Sequence, residues 1–155
     1  MINRYLLTAS IGNGCSDLTS FDKALLNSKI GNYNIVKVSS ILPVKAIETE
    51  KVGIVEGNVL FTAFSHITSN KIGMELTASI AIGIPKDNNK VGVIMELACG
   101  EPKEKAEQTI IEMVKEAMSN RGNEIAEILI KSSSVEVDSS GRYFTAFSAV
   151  AMWEE

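Results

Sequence analysis

The most constraining part of this chain lies in its middle. Glu75-Leu76-Thr77-Ala78-Ser79-Ile80-Ala81-Ile82-Gly83-Ile84 alternates with period two, Pro85-Lys86-Asp87-Asn88-Asn89-Lys90 is a cluster of turn formers, and Val91-Gly92-Val93-Ile94-Met95-Glu96-Leu97-Ala98 is a return strand. Together they predict a β-hairpin. A second hairpin is predicted from Ala126–Val137 and Arg142–Trp153, turning at Asp138-Ser139-Ser140-Gly141. Pro102 at a helix start, the apolar stripe Ala106, Ile110, Met113, Val114, Ala117 and Met118, and the stop Gly122 predict a long helix from Lys103 to Arg121. Its charged residues read as a solvated face.

The N-terminal third predicts a strand over Tyr5–Ser10 ending in a Gly12-Asn13-Gly14 turn, then a helix over Phe21–Ile30. Thr19 and Asp22 resemble a capping box for that helix, and Gly31 supplies its stop. A strand over Asn34–Ser39 follows, with further strands at Lys51–Val55 and Val59–Ser65. Two helices among mostly hairpin-linked strands imply an α+β layered sandwich with largely antiparallel sheets. With 155 residues, 45% of them hydrophobic, the chain reads as one domain over 1–155.

Composition removes several function classes. No apolar run reaches the roughly 18 residues that cross a bilayer, and the start lacks a signal-peptide pattern, so a cytoplasmic protein without membrane attachment is expected. Cys15 and Cys99 are too few for a disulfide framework, and with His66 as the sole histidine no metal site is expected. A net charge of -4 with scattered basic residues argues against nucleic acid and favours a cationic small molecule.

Three places carry candidate chemistry. The first is Ser39-Ser40: a serine hydroxyl beside the preceding carbonyl can break its own peptide bond and leave a pyruvoyl group, a ketone that bonds amines and accepts electrons. Asn34 is near in sequence, although an extended strand sets it roughly 20 Å from that bond. The dipeptide by itself fits equally a strand ending in turn-forming serines. The second is Glu96, flanked on both faces of its strand by small or apolar residues; it is a general acid, or a strand-end carboxylate that reaches water or pairs with a lysine. The third is Asp22, either a helix-start cap or a carboxylate for a planar guanidinium. His66 has no serine-hydrolase setting, and Gly12-Asn13-Gly14 lacks the residues of a phosphate loop.

Taken together, Phe21-Asp22-x-Ala24-Leu25-Leu26-Asn27-x-x-Ile30-Gly31-Asn32-x-Asn34, Ser39-Ser40-Ile41-x-Pro43, Ile84-Pro85-Lys86-Asp87 and Gly92-x-Ile94-Met95-Glu96 resemble the pyruvoyl-dependent arginine decarboxylases, in order and over nearly the whole chain. The resemblance implies a proenzyme cut into 1–39 and 40–155, with a covalent pyruvoyl cofactor made from Ser40 and no metal. It implies a four-layer α/β/β/α sandwich assembled as a homotrimer with active sites between subunits. Catalysis would run through a Schiff base with L-arginine, giving agmatine and carbon dioxide. Ser40 and Glu96 would be catalytic, Glu96 delivering the proton; Asp22, Leu25, Gly31 and Ser39 would bind substrate, and Asn34 would assist the cut. The rival readings are the same chemistry on another basic amino acid, or an unprocessed scaffold of the same fold.

Overall fold

The computed structural model describes residues 1–155. Its elements run β1 (Arg4–Gly14), α1 (Asp17–Asn27), β2 (Asn34–Lys37), β3 (Ile41–Leu42), β4 (Ile47–Glu48), β5 (Val59–Ser69), β6 (Glu75–Pro85), β7 (Gly92–Cys99), α2 (Lys103–Asn120), β8 (Ile125–Glu136) and β9 (Tyr143–Trp153). They form a five-stranded sheet, ordered β2-β5-β9-β1-β4, and a four-stranded sheet, ordered β3-β7-β6-β8. Only β1 with β4 and β2 with β5 pair in parallel. The fold is α+β with two helices and two mostly antiparallel sheets, as expected.

Period-two alternation sorts the central hairpin between two environments. Ile80, Ile82 and Ile94 pack with Tyr5, Leu7, Ala63, Val150 and Met152, so one face of this hairpin meets the other sheet. Ala81 and Val93 turn the other way, onto Ile110, Val114 and Met118 of α2. Ala24 and Leu25 of α1 pack with Leu60, Phe147, Ala149 and Ala151 on the five-stranded sheet. Ile80, Ile82 and Ile94 are fully buried, each worth about 1.5–3 kcal/mol relative to exposure.

Several local expectations are corrected. The Gly12-Asn13-Gly14 segment is the end of β1, paired with Tyr143–Thr145, and not a turn. Its glycines serve helix packing: a Cβ at Gly12 would collide with Ala24 N and Ser20 O of α1, and one at Gly14 would lie 2.6 Å from Ser20 N. Gly12→Ala should therefore cost roughly 3 kcal/mol, because backbone cannot yield as a flexible side chain does. Thermal or urea unfolding would measure it, and a change within 0.5 kcal/mol, the spread of ordinary surface substitutions at about that size, would refute the packing argument.

Helix α1 starts earlier than expected. Its cap is Ser16, whose Oγ accepts from Thr19 N–H at 3.1 Å while Thr19 Oγ1 accepts from Ser16 N–H at 3.1 Å. Thr19 is thus the second member of the box, and Asp22 lies inside the helix. The helix also stops before Gly31. Lys29 takes the left-handed conformation at φ 64°, its N–H bonding Leu26 O at 3.0 Å and that of Ile30 bonding Leu25 O at 3.1 Å, the two closures of a Schellman end. Lys51–Val55 forms no strand. The expected strand Asn34–Ser39 pairs only as far as Lys37, since the chain then departs for the other sheet.

Candidate active site

Both β2 and β3 are edge strands, one in each sheet. Val38, Ser39 and Ser40 are the link between them, so the Ser39–Ser40 bond lies where the chain crosses from sheet to sheet. Val38 N–H still bonds Thr62 O at 3.2 Å on the five-stranded side, and Ser40 O accepts from Ile94 N–H at 2.8 Å on the other. Between these anchors Ile41 N–H donates to Ser39 O at 3.1 Å. The last bond closes a three-residue turn on Ser40, whose φ is negative, and makes it an inverse γ-turn.

That turn bears on the chemistry. The carbonyl that Ser40 Oγ would attack already accepts a backbone N–H, a donor suited to the oxygen as it gains charge. Ser39 is exposed and Ser40 half-buried, beside an apolar cleft of about 340 Å³ lined by Val38, Ser39, Ile41, Pro43, Phe61 and Met152 among others. A larger groove of about 800 Å³ runs along Leu6–Ala9 of β1 toward Glu48 and Lys131. None of the candidate residues lines it, so volume does not mark this site.

Glu96 lies two residues beyond Ile94 on β7, opposite Ile80 of β6, on the face that looks toward the other sheet. Lys37, the last residue of β2, reaches it: Nζ is 2.7 Å from Glu96 Oε1. The same ammonium donates to Phe64 O at 2.9 Å and sits 4.8 Å over the Phe64 ring. Glu96 Oε2 is buried and has no partner, a costly arrangement for a polar atom that nothing in the subunit offsets. The alternative in which Glu96 pairs with a lysine is thus realised for one of its oxygens and leaves the other free.

Phe64 continues into an aromatic group with Phe21 of α1, His66 and Phe147. The Phe21 ring lies 4.7 Å from His66 and 6.3 Å from Phe64. Partial burial holds the His66 imidazole below its ordinary value, with Asp17 opposing that shift and Lys37 adding to it. Asp22 follows Phe21 in α1; it is exposed and makes no hydrogen bond or ion pair, so it has no capping role.

The remaining candidates lie elsewhere in the subunit. Asn34 Nδ2 donates to Gly57 O at 2.7 Å, away from the bond it was expected to assist. Leu25 is buried in the core beneath α1. Gly31 borders a separate cleft with Tyr33, Lys51 and Glu56, and a Cβ there would meet Leu26 at 2.7 Å. One chain therefore gathers Ser39, Ser40 and Glu96, and leaves Asp22, Leu25, Gly31 and Asn34 apart from them. Sequence reasoning missed Lys37 and the amides of Ile41 and Ile94. Lys37 left a signal, a lone charge in Ile35-Val36-Lys37-Val38, whereas amide donors leave none.

No group of three or more His, Cys, Asp or Glu side chains could hold a metal. No helix is long and apolar enough to cross a membrane.

The family described as pyruvoyl-dependent arginine decarboxylase matches residues 4–155. Among curated relatives, the pyruvoyl-dependent arginine decarboxylase of Methanococcus vannielii is 38% identical over 151 residues, covering 97% of this chain and 90% of that one. That of Methanocaldococcus jannaschii is 37% identical over 153 residues, with the same coverage of 97% and 90%. That of Thermococcus kodakarensis is 38% identical over 135 residues, covering 86% and 85%.

Proposed function

The chain belongs to the pyruvoyl-dependent arginine decarboxylase family, and from that premise we propose that it makes its own prosthetic group by cutting the Ser39–Ser40 bond. It is a pyruvoyl-dependent decarboxylase of arginine, a lyase, with a covalently held pyruvoyl group. The observation that carries the self-cleavage reading is the turn in which Ile41 N–H holds Ser39 O at 3.1 Å.

Ser40 Oγ attacks the Ser39 carbonyl carbon, and the C–N bond breaks as the C–O bond forms, moving the acyl group from nitrogen to oxygen. Loss of the Ser40 α-proton then expels the Ser39 carboxylate and leaves a carbon–carbon double bond at position 40. Water converts the resulting enamine to a ketone and releases ammonia. The residues present suit this group: Ile94 N–H anchors the position-40 carbonyl, and the unpartnered Glu96 Oε2 offers a proton-carrying site nearby. The group, once formed, supplies a ketone that takes the substrate amine and accepts the electrons left by departing carbon dioxide.

In this reading Glu96 returns a proton to the substrate α-carbon, and Asp22 pairs with the guanidinium. Leu25, Gly31 and the Ser39 carboxylate bind the remainder of arginine, and Asn34 assists the cut. Asp22, Gly31 and Asn34 would act across an interface, as expected of a trimer with sites between neighbouring subunits, and Leu25, buried beneath α1, would shape the aliphatic part of that pocket from within its own subunit. The unpartnered Asp22 and the exposed Val36, Val59 and Phe61 on the flank of β2 and β5 support that assembly. The packing of α1 on one sheet and α2 on the other supports a four-layer α/β/β/α domain spanning 1–155. The free Cys15 and Cys99 suit a reducing cytoplasm.

Mass spectrometry of purified protein tests the cleavage. Two fragments split at Ser39/Ser40 are expected, and a single intact 16.8 kDa species after long incubation would refute it. Carbon dioxide should be released from arginine in preference to lysine, ornithine or histidine; no release from arginine would overturn the substrate.

A further inference from the structure

Lys37 is the one cation seated against Glu96, and it occupies a place that the cut would change. Strand β2 ends at Lys37 while β5 runs on to Ser69, so the edge of β5 past Thr62 is uncovered. The Lys37 ammonium fills this gap, bonding Phe64 O at 2.9 Å and Glu96 Oε1 at 2.7 Å. Ser39 lies two residues further along the same extended segment. In the uncut chain its carbonyl is neutral, and the local charges are the Lys37 cation and the Glu96 anion, which balance.

Cleavage at Ser39–Ser40 leaves a new terminal carboxylate on Ser39. The locality then holds one ammonium and two carboxylates. Lys37 is joined to Ser39 by a single intervening residue, and the freed chain end can turn toward it. The backbone of Glu96 is held on β7 by its pairing with Ile80, so it does not travel with the freed chain end. The side chains that could compete are few: His66 is placed by the aromatic group, and its imidazole is held toward its neutral form.

Resting on the self-cleavage reading, we propose that Lys37 is a positioning residue that exchanges carboxylates. Its ammonium holds Glu96 in the precursor and transfers to the Ser39 carboxylate once the bond is cut. The exchange releases Glu96 Oε1, the oxygen that Lys37 holds, at the moment the site is completed. It also ties down the new end of fragment 1–39. The precursor is thereby kept with its proton-transfer group engaged, and processing itself disengages it. The exchange itself breaks no covalent bond, and the ammonium moves as a side-chain rotation.

A double-mutant cycle in two backgrounds tests this. Lys37→Met, Glu96→Gln and the double variant are made with Ser40→Ala, which keeps the chain uncut, and with Ser40 retained and processing complete. Melting temperatures are compared at one protein concentration. In the uncut background the two substitutions should be non-additive by about 2–4 °C, the value of a partly exposed ion pair in a chain of this size. In the processed protein they should add to within about 1 °C. Lys37→Arg should retain the uncut-state coupling, which a purely steric role for the lysine stem would not require. Equal coupling in both backgrounds, or none in either, would overturn the exchange. An intact wild-type chain by mass spectrometry would instead remove the cleavage reading on which the exchange rests.

Discussion

Ser40→Ala should yield a single uncut chain of about the full 16.8 kDa that releases no carbon dioxide from arginine. The substitution removes the only atom able to attack the Ser39 carbonyl from within the turn, and a methyl group can neither accept the acyl group nor be eliminated to a double bond. Fold should be little affected: Ser40 is half-buried, no hydrogen bond to its Oγ is present, and its backbone carbonyl keeps the bond from Ile94 N–H. Circular dichroism and melting temperature should therefore resemble those of the uncut wild type. The loss of activity should be complete at the sensitivity of the assay, since the ketone is absent from every molecule. Fragments at 1–39 and 40–155 from this variant would refute the assignment of Ser40 as the nucleophile.

Glu96→Gln should separate processing from turnover. The amide is nearly isosteric and preserves the strand, while removing the charge that pairs with Lys37. Cleavage should proceed, and two fragments should appear by mass spectrometry. Turnover should fall about 100-fold or more, the usual contribution of a positioned general acid, because an amide N–H is far too weak an acid to give its proton to the substrate α-carbon. A fall in kcat with KM little changed is the expected signature of a group that acts in the transition state. A fully active Glu96→Gln enzyme would refute the role, and a failure to process would mean that Glu96 acts in maturation as well.

How far the sequence anticipated this site depended on the reach of each interaction. The hairpin over 75–98 was legible because its alternation records which side chains face the second sheet, as Ile80 and Ile82 do, and which face α2, as Ala81 does. Helix α2 was legible for the same reason at helical spacing. The start of α1 was not, because Thr19 and Asp22 mimic the spacing of a capping box whose true first member is Ser16. Gly12 and Gly14 read as a turn because glycine permits turns and close backbone approach alike, and only the position of α1 decides between them. At the site, Ser39, Ser40 and Glu96 were marked by their own chemistry and their order along the chain. The pairing of Glu96 with Lys37 joins the edges of two different sheets, so no local pattern encodes it. The bond from Ile41 N–H to Ser39 O is a backbone interaction that any residue but proline at position 41 would allow.

The place of β1 has a consequence for a chain cut at Ser39–Ser40. β1 runs between β9 and β4 and carries the buried Tyr5, Leu6 and Leu7, so fragment 1–39 supplies an interior strand of the five-stranded sheet rather than a detachable arm. The two pieces would stay locked together through β-ladders and shared core, and the five-stranded sheet would be complete in neither, whereas all four strands of the other sheet belong to 40–155. Folding would have to precede the cut, and the covalent link that guided β1 into place would then be gone. Such a molecule has a memory of one folding event: once unfolded, its pieces must find each other as separate solutes, at a rate set by their concentration. Its working lifetime would be governed by the barrier to unfolding more than by an equilibrium with the unfolded state.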